Sequence, residues 1–184
     1  MEIVINTRQI LKGLLILAWI IFTGLCIEAG GFIFNAVYTL VKGPVNVAHF
    51  WKGADFSSLY NYDHGWYFVV ISMPVIGLAL RGWLFIIIIR LLSNKNISFN
   101  QPFSKDVRRF IFYLSYLSLM IGVFSSISIK NVEGLARRGV QMPDTEYLHL
   151  GGADVWLFMA VILFVIAQIF KRGIEIQTEN ELTI

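Results

Sequence analysis

Residues 65–92 read GWYFVVISMPVIGLALRGWLFIIIIRLL, with Arg81 and Arg90 as the charged positions. A helix needs roughly 20 apolar residues to cross a hydrocarbon core of about 30 Å, so this stretch predicts a transmembrane helix. Pro74 removes one backbone donor within it and predicts a kink.

Three more runs of the same kind lie on either side, at about residues 14–41, 105–129 and 153–170. The composition agrees: 57% of the 184 residues are hydrophobic and 15% are charged, and the mean hydropathy is +0.68. Soluble domains carry about 25% charged and about 45–50% apolar residues. The expected fold class is therefore all-α: one domain, residues 1–184, forming an integral membrane bundle of four transmembrane helices whose first partner is the lipid bilayer. The first run follows a basic head with Arg8 and Lys12, but it is too long for a signal peptide and is read as a retained anchor. The pair Gly30-Gly31 is expected to loosen its outer end.

The polar connections give the orientation. The head, the inner connection (residues 93–104), the tail (171–184) and the helix ends beside them hold nine basic residues: Arg8, Lys12, Arg90, Lys95, Lys105, Arg108, Arg109, Lys171 and Arg172. The outer loops, 42–64 and 130–152, hold five: Lys42, Lys52, Lys130, Arg137 and Arg138. Lysine and arginine stay on the cytoplasmic side, so both termini are expected inside. The net charge of +3 is thus a topology signal, with no direct nucleic-acid binding implied. Phe50, Trp51, Phe56, Tyr60, Tyr62, Trp66 and Tyr67, in and beside the first outer loop, suggest an aromatic belt at the lipid–water interface. Ser104 reads as the N-cap of the third helix, with Asp106 in its first turn favourable to the helix dipole.

Helices in lipid associate through small and polar residues. Ser115, Ser118, Gly122 and Ser125 share one face of the third helix, and Ala153, Ala160 and Ala167 one seam of the fourth. Arg81 is the costliest residue, at about 2.5–3.5 kcal/mol near a bilayer centre. It stands nine positions from Arg90, about 13 Å along a helix. It must face the interior or snorkel, with Ser115 and Ser118 as hydroxyl partners and Glu28 and Asp154 as candidate counter-charges. These five residues make a candidate intramembrane polar site.

Catalytic and metal signals are weak. His49, His64 and His149 fall in or beside outer loops, and neither Asp63-His64 nor Glu146-x-x-His149 forms a zinc signature. No P-loop, dinucleotide fingerprint or nucleophile elbow is present, so no cofactor and no enzyme activity are expected. The lone Cys26 reads as a small apolar side chain in a helix.

At the carboxyl end, Ile169-Phe170-Lys171-Arg172-Gly173-Ile174-Glu175-Ile176-Gln177 leads to Glu179-Asn180-Glu181-Leu182-Thr183-Ile184. With Leu80-Arg81 in the second run and Pro102-Phe103-Ser104 before the third, this resembles a bacterial membrane family, the domain of unknown function DUF2975. The resemblance implies a multi-pass protein of the bacterial cytoplasmic membrane. It also implies a small cytoplasmic DNA-binding regulator of the helix-turn-helix type as a partner. On the residues themselves, Lys171 and Arg172 hold the fourth helix at the inner interface and Gly173 permits a turn or break. The tail, with Glu175, Glu179, Glu181 and Leu182, then either folds back on the bundle or forms a docking surface with Phe99, Phe103, Arg108 and Arg109. A transporter or small permeation subunit built around Arg81 is the alternative function.

Overall fold

The protein is described by a computed structural model covering residues 7–94 and 104–181. Every regular element in these residues is helical: α1 (Thr7–Lys42), α2 (Ser57–Tyr62), α3 (His64–Ser93), α4 (Lys105–Arg137) and α5 (Ala153–Glu181), with short 3₁₀ turns at Pro44–Asn46 and Trp51–Gly53. All but α2 are long and apolar enough to cross a membrane.

The helix starts follow from local capping. Asp63 accepts a hydrogen bond from the Trp66 amide at 2.8 Å and opens α3. Ser104 accepts one from the Val107 amide at 3.1 Å and opens α4, as its sequence suggests. Three boundaries move outward from the apolar runs, the first at Thr7, where α1 already begins. α4 continues past residue 129 to Arg137, and α5 continues through Gly173 to Glu181. Lys130, Lys171 and Arg172 end the apolar runs without ending the helices, since charge is no obstacle to a helix beyond the hydrocarbon. The expected break at Gly173 is absent, as is any loosening of α1 at Gly30-Gly31.

Packing is sequential. α1 lies mainly on α3, α3 on α4, and α4 on α5, so the four long helices form a row with α1 and α5 at its edges rather than a closed bundle. The closest seam is α4 on α5. There Gly122 faces Leu157, whose Cγ would lie 2.7 Å from any added Cβ. Ser115 donates to the Ala160 carbonyl at 2.9 Å, and Ala160 and Ala167 are buried. Small residues on both helices permit this approach. On the other side, Thr39 of α1 and Tyr67 of α3 share a buried hydrogen bond of 3.1 Å.

Beyond the row, the two long loops fold over the ends of α1, α3 and α4 into a cap with its own core. Phe32, Phe50, Phe56, Leu59, Tyr67, Leu148 and Leu150 are essentially inaccessible there. Phe50 and Phe56 meet edge to face at 5.0 Å. Full burial of each large apolar side chain stabilises by about 1.5–3 kcal/mol. Of the aromatics expected in an interfacial belt, Phe50, Phe56 and Tyr67 are thus buried in this core, whereas Tyr62 is exposed. Phe50, Phe56 and Tyr67 point into the cap because the Val47 carbonyl takes the Phe56 amide at 2.8 Å and folds the loop back on itself.

Candidate functional site

The cap closes around one carboxylate. Glu28 projects from α1, and its Oε2 accepts the indole N–H of Trp51 at 3.0 Å. Its Oε1 pairs with the Lys52 ammonium, and Nε2 of His149 stands 3.5 Å from Oε2. The first loop thus supplies Trp51 and Lys52, and the second supplies His149. Tyr147 adds a second tie, donating its hydroxyl to the Trp51 carbonyl.

Local backbone features make this meeting possible. Gly31 gives the indole its place, because a Cβ there would collide with the Trp51 ring. Lys52 and His149 are the two non-glycine residues with positive φ among those described, at 57° and 53°. Left-handed backbone costs an L-residue roughly 1–2 kcal/mol. Both residues that bear this cost direct their side chains at Glu28.

At His149 the reason is a helical turn that ends there. The His149 amide bonds to the Glu146 carbonyl at 3.0 Å and the Leu150 amide to the Thr145 carbonyl at 3.1 Å, a Schellman termination. The same loop holds a second one at the end of α4, where glycine, Gly139, takes the left-handed position. Histidine replaces glycine where a side chain is needed to reach α1. Its ring also meets Phe32 at 6.4 Å, nearly perpendicular.

Beside this clamp lies an open cleft of about 420 Å³ between the two loops, lined by residues that include Lys52, Asp55, Ser58, Gln141, Asp144 and Tyr147. Ser58 holds the loops together by accepting the Gln141 amide at 3.0 Å. Hydrogen bonds from Ser57 lower the Asp55 carboxyl below its usual range. Burial, and then the Glu28 carboxylate, push the Tyr147 phenol up to about 12. The cleft therefore presents two carboxylates, an ammonium engaged with Glu28, and a phenol that stays protonated. Lys52 and Tyr147 connect the cleft to the clamp.

The candidate intramembrane site is dispersed. Glu28 belongs to the clamp, and Asp154 is exposed in the first turn of α5. Ser115 is used in the α4–α5 seam. Arg81 is half-buried and holds its guanidinium 5.7 Å from the Trp156 ring centroid on α5, a cation–π contact. Its Nε and the Ser118 hydroxyl are both buried without a hydrogen-bond partner.

The histidines separate as well. His64 packs against Tyr60 with ring centroids 4.2 Å apart and the planes tilted by 40°, while His149 turns to Glu28. Among the described residues no group of three or more His, Cys, Asp or Glu is placed to hold a metal. In the tail, Lys171 and Arg172 are exposed on α5, and Arg172 pairs with Glu175 at 3.2 Å. Glu179 lies on the same helix. Phe99, Phe103, Leu182 and the Glu181 side chain fall outside the described residues.

Sequence reasoning missed the Trp51–Lys52–His149 grouping around Glu28, since it needs loops far apart in the chain to close. The local signals were Glu28, a charge in an apolar helix, and Gly31 close by on the same helix.

No curated protein and no solved structure matches the chain. Residues 51–184, which include the second part of the first cap loop, the whole of the second, α3, α4, α5 and the tail, match the family described as protein of unknown function DUF2975. Since the match spans well over half of the chain, this protein belongs to the DUF2975 family.

Proposed function

We propose that the protein is a non-enzymatic membrane receptor that links recognition at the cap to control of a small cytoplasmic helix-turn-helix regulator. The distribution of basic residues supports a cap outside and a tail inside the membrane that bounds a bacterial cytoplasm. The observation that carries the reading is the continuity of α5, which runs unbroken from Ala153 to Glu181. It begins four residues after His149 and ends with Lys171, Arg172, Glu175 and Glu179 beyond the apolar run. The clamp and the charged tail are thus close to opposite ends of one helix. The regulator itself is the partner that the family resemblance implies.

Co-purification tests it. The full chain should retain the regulator, and a chain lacking residues 171–184 should lose it while still inserting and folding. Failure of the full chain to retain it, in detergent and in cells, would remove this reading.

A second reading, a transporter or permeation subunit, is favoured by the unpartnered Arg81 Nε and Ser118 hydroxyl within the spans. It requires water to reach them. A cysteine at position 118 that stays inert to small charged thiol reagents from both sides would exclude it.

A further inference from the structure

α4 and α5 run antiparallel, and three contacts fix their register: Gly122 on Leu157, Ser115 on Ala160, and Phe112 edge to face with Phe164 at 5.8 Å. Beyond the Phe112–Phe164 contact, toward the start of α4 and the end of α5, both helices turn basic. On α4 come Arg108, four residues from Phe112, and Lys105, seven away. On α5 comes Lys171, seven residues from Phe164. Residues four and seven apart share a helix face, and seven residues advance a helix by about 10 Å. Lys105 and Lys171 therefore stand level with each other on the two sides of the seam, and Arg108 stands between that level and the aromatic pair.

These cations are uncompensated. Among the described residues none of Lys105, Arg108, Arg109 and Lys171 has an ion pair, whereas Arg172 is taken by Glu175. Asp106, the acid in the first turn of α4, points about 100° round the helix from Lys105. The Arg108 guanidinium is held 5.6 Å from the Phe112 ring centroid, a cation–π contact. The apolar side of the same patch is open. Tyr116 stacks on Phe112 at 6.3 Å and is exposed, as is Phe164.

A topology signal alone is satisfied by basic residues anywhere along the helix ends. Here they converge from two helices on one end of one seam, next to exposed aromatic surface. Basic pockets between transmembrane helices on the cytoplasmic side take anionic headgroups. We propose that this end of the α4–α5 seam binds an acidic phospholipid from the leaflet on the tail side. Its phosphate lies among Lys105, Arg108 and Lys171, and its acyl chains run along Phe112, Tyr116 and Phe164. A free phosphate or a nucleic acid matches the charges but leaves the aromatic surface uncovered.

Native mass spectrometry of the full chain in neutral detergent tests this, with phosphatidylglycerol and phosphatidylcholine of equal chain length as probes. Phosphatidylglycerol should bind at least tenfold more tightly. Arg108→Gln and Lys171→Gln should each weaken it about fivefold, the weight of one basic residue at a membrane surface, with helix content and phosphatidylcholine binding unchanged. Lys12→Gln, which removes a charge from α1 at the other edge of the row, should change it less than twofold. Equal affinity for the two lipids would overturn the proposal. So would equal losses from Lys12→Gln and the seam variants, which mark attraction to net charge alone. Competition by glycerophosphoglycerol or inorganic phosphate as strong as that by the intact lipid would overturn it too, by showing that the acyl chains contribute nothing.

Discussion

Nε2 of His149 stands 3.5 Å from Oε2 of Glu28, and the backbone that carries this imidazole is left-handed, with φ at 53°. The side chain gains a carboxylate partner while the main chain bears strain that glycine would not feel. Stability and contact therefore pull in opposite directions at this one residue.

Two substitutions separate these effects. His149→Gly should be about 1 kcal/mol more stable than His149→Ala in thermal unfolding in detergent, because both lose the imidazole and glycine alone relieves the φ. Both should lose any coupling that the cap exerts on the tail. Equal stability of the two variants would show that the left-handed backbone carries no cost.

Adjacent glycines on α1 should behave oppositely. Gly31→Ala places a methyl group in the Trp51 ring, displaces the indole from Glu28, and should destabilise by about 1–3 kcal/mol. Gly30→Ala meets nothing within 4 Å and should be neutral or stabilising by up to about 1 kcal/mol. Thermal unfolding, with tryptophan emission as a second readout, distinguishes the pair.

The α4–α5 seam should respond to volume more than to hydrogen bonding. Gly122→Val forces a side chain toward Leu157 Cγ, already 2.7 Å from an ideal Cβ, and should push the helices apart. Ser115→Ala removes the bond to the Ala160 carbonyl, and interhelical bonds of this kind are worth about 0.6 kcal/mol in a membrane. Loss of crosslinking between cysteine pairs placed on α4 and α5 should therefore follow the first substitution and not the second.

Alkaline pH should loosen the cap. The Tyr147 phenol is neutral in the folded state up to about 12, whereas an unfolded tyrosine ionises near 10. The folded state holds this proton more tightly, so its stabilising effect is complete below about pH 10 and is lost as pH rises toward about 12. In a spectroscopic tyrosine titration, Tyr147→Phe should remove a step at the upper end of the curve. An unchanged upper end would contradict the burial of this phenol.

The spans were legible because each apolar run falls in or above the range of about 17–25 residues that a crossing takes, and Ser104 announced its cap by residue type alone. The ends of α4 and α5 were not. Lys130 and Lys171 mark where hydrocarbon stops, a property of the solvent and not of the backbone. The aromatic residues of the first outer loop were visible as a group, but their direction was hidden. Whether Phe56 faces lipid or a core depends on the closure of a turn through the Val47 carbonyl. Glu28 stood out as a charge in an apolar helix, yet its partners come from two loops that only tertiary folding brings together.

The unbroken course of α5 has a mechanical meaning. A rod with no hinge passes on rotation and piston displacement but absorbs neither. At 3.6 residues per turn, a slip of one residue at the cap end swings every side chain at the other end by about 100°. A partner resting on Arg172 and Glu175 would then read the state of the cap as a compass bearing, through which way these charges face.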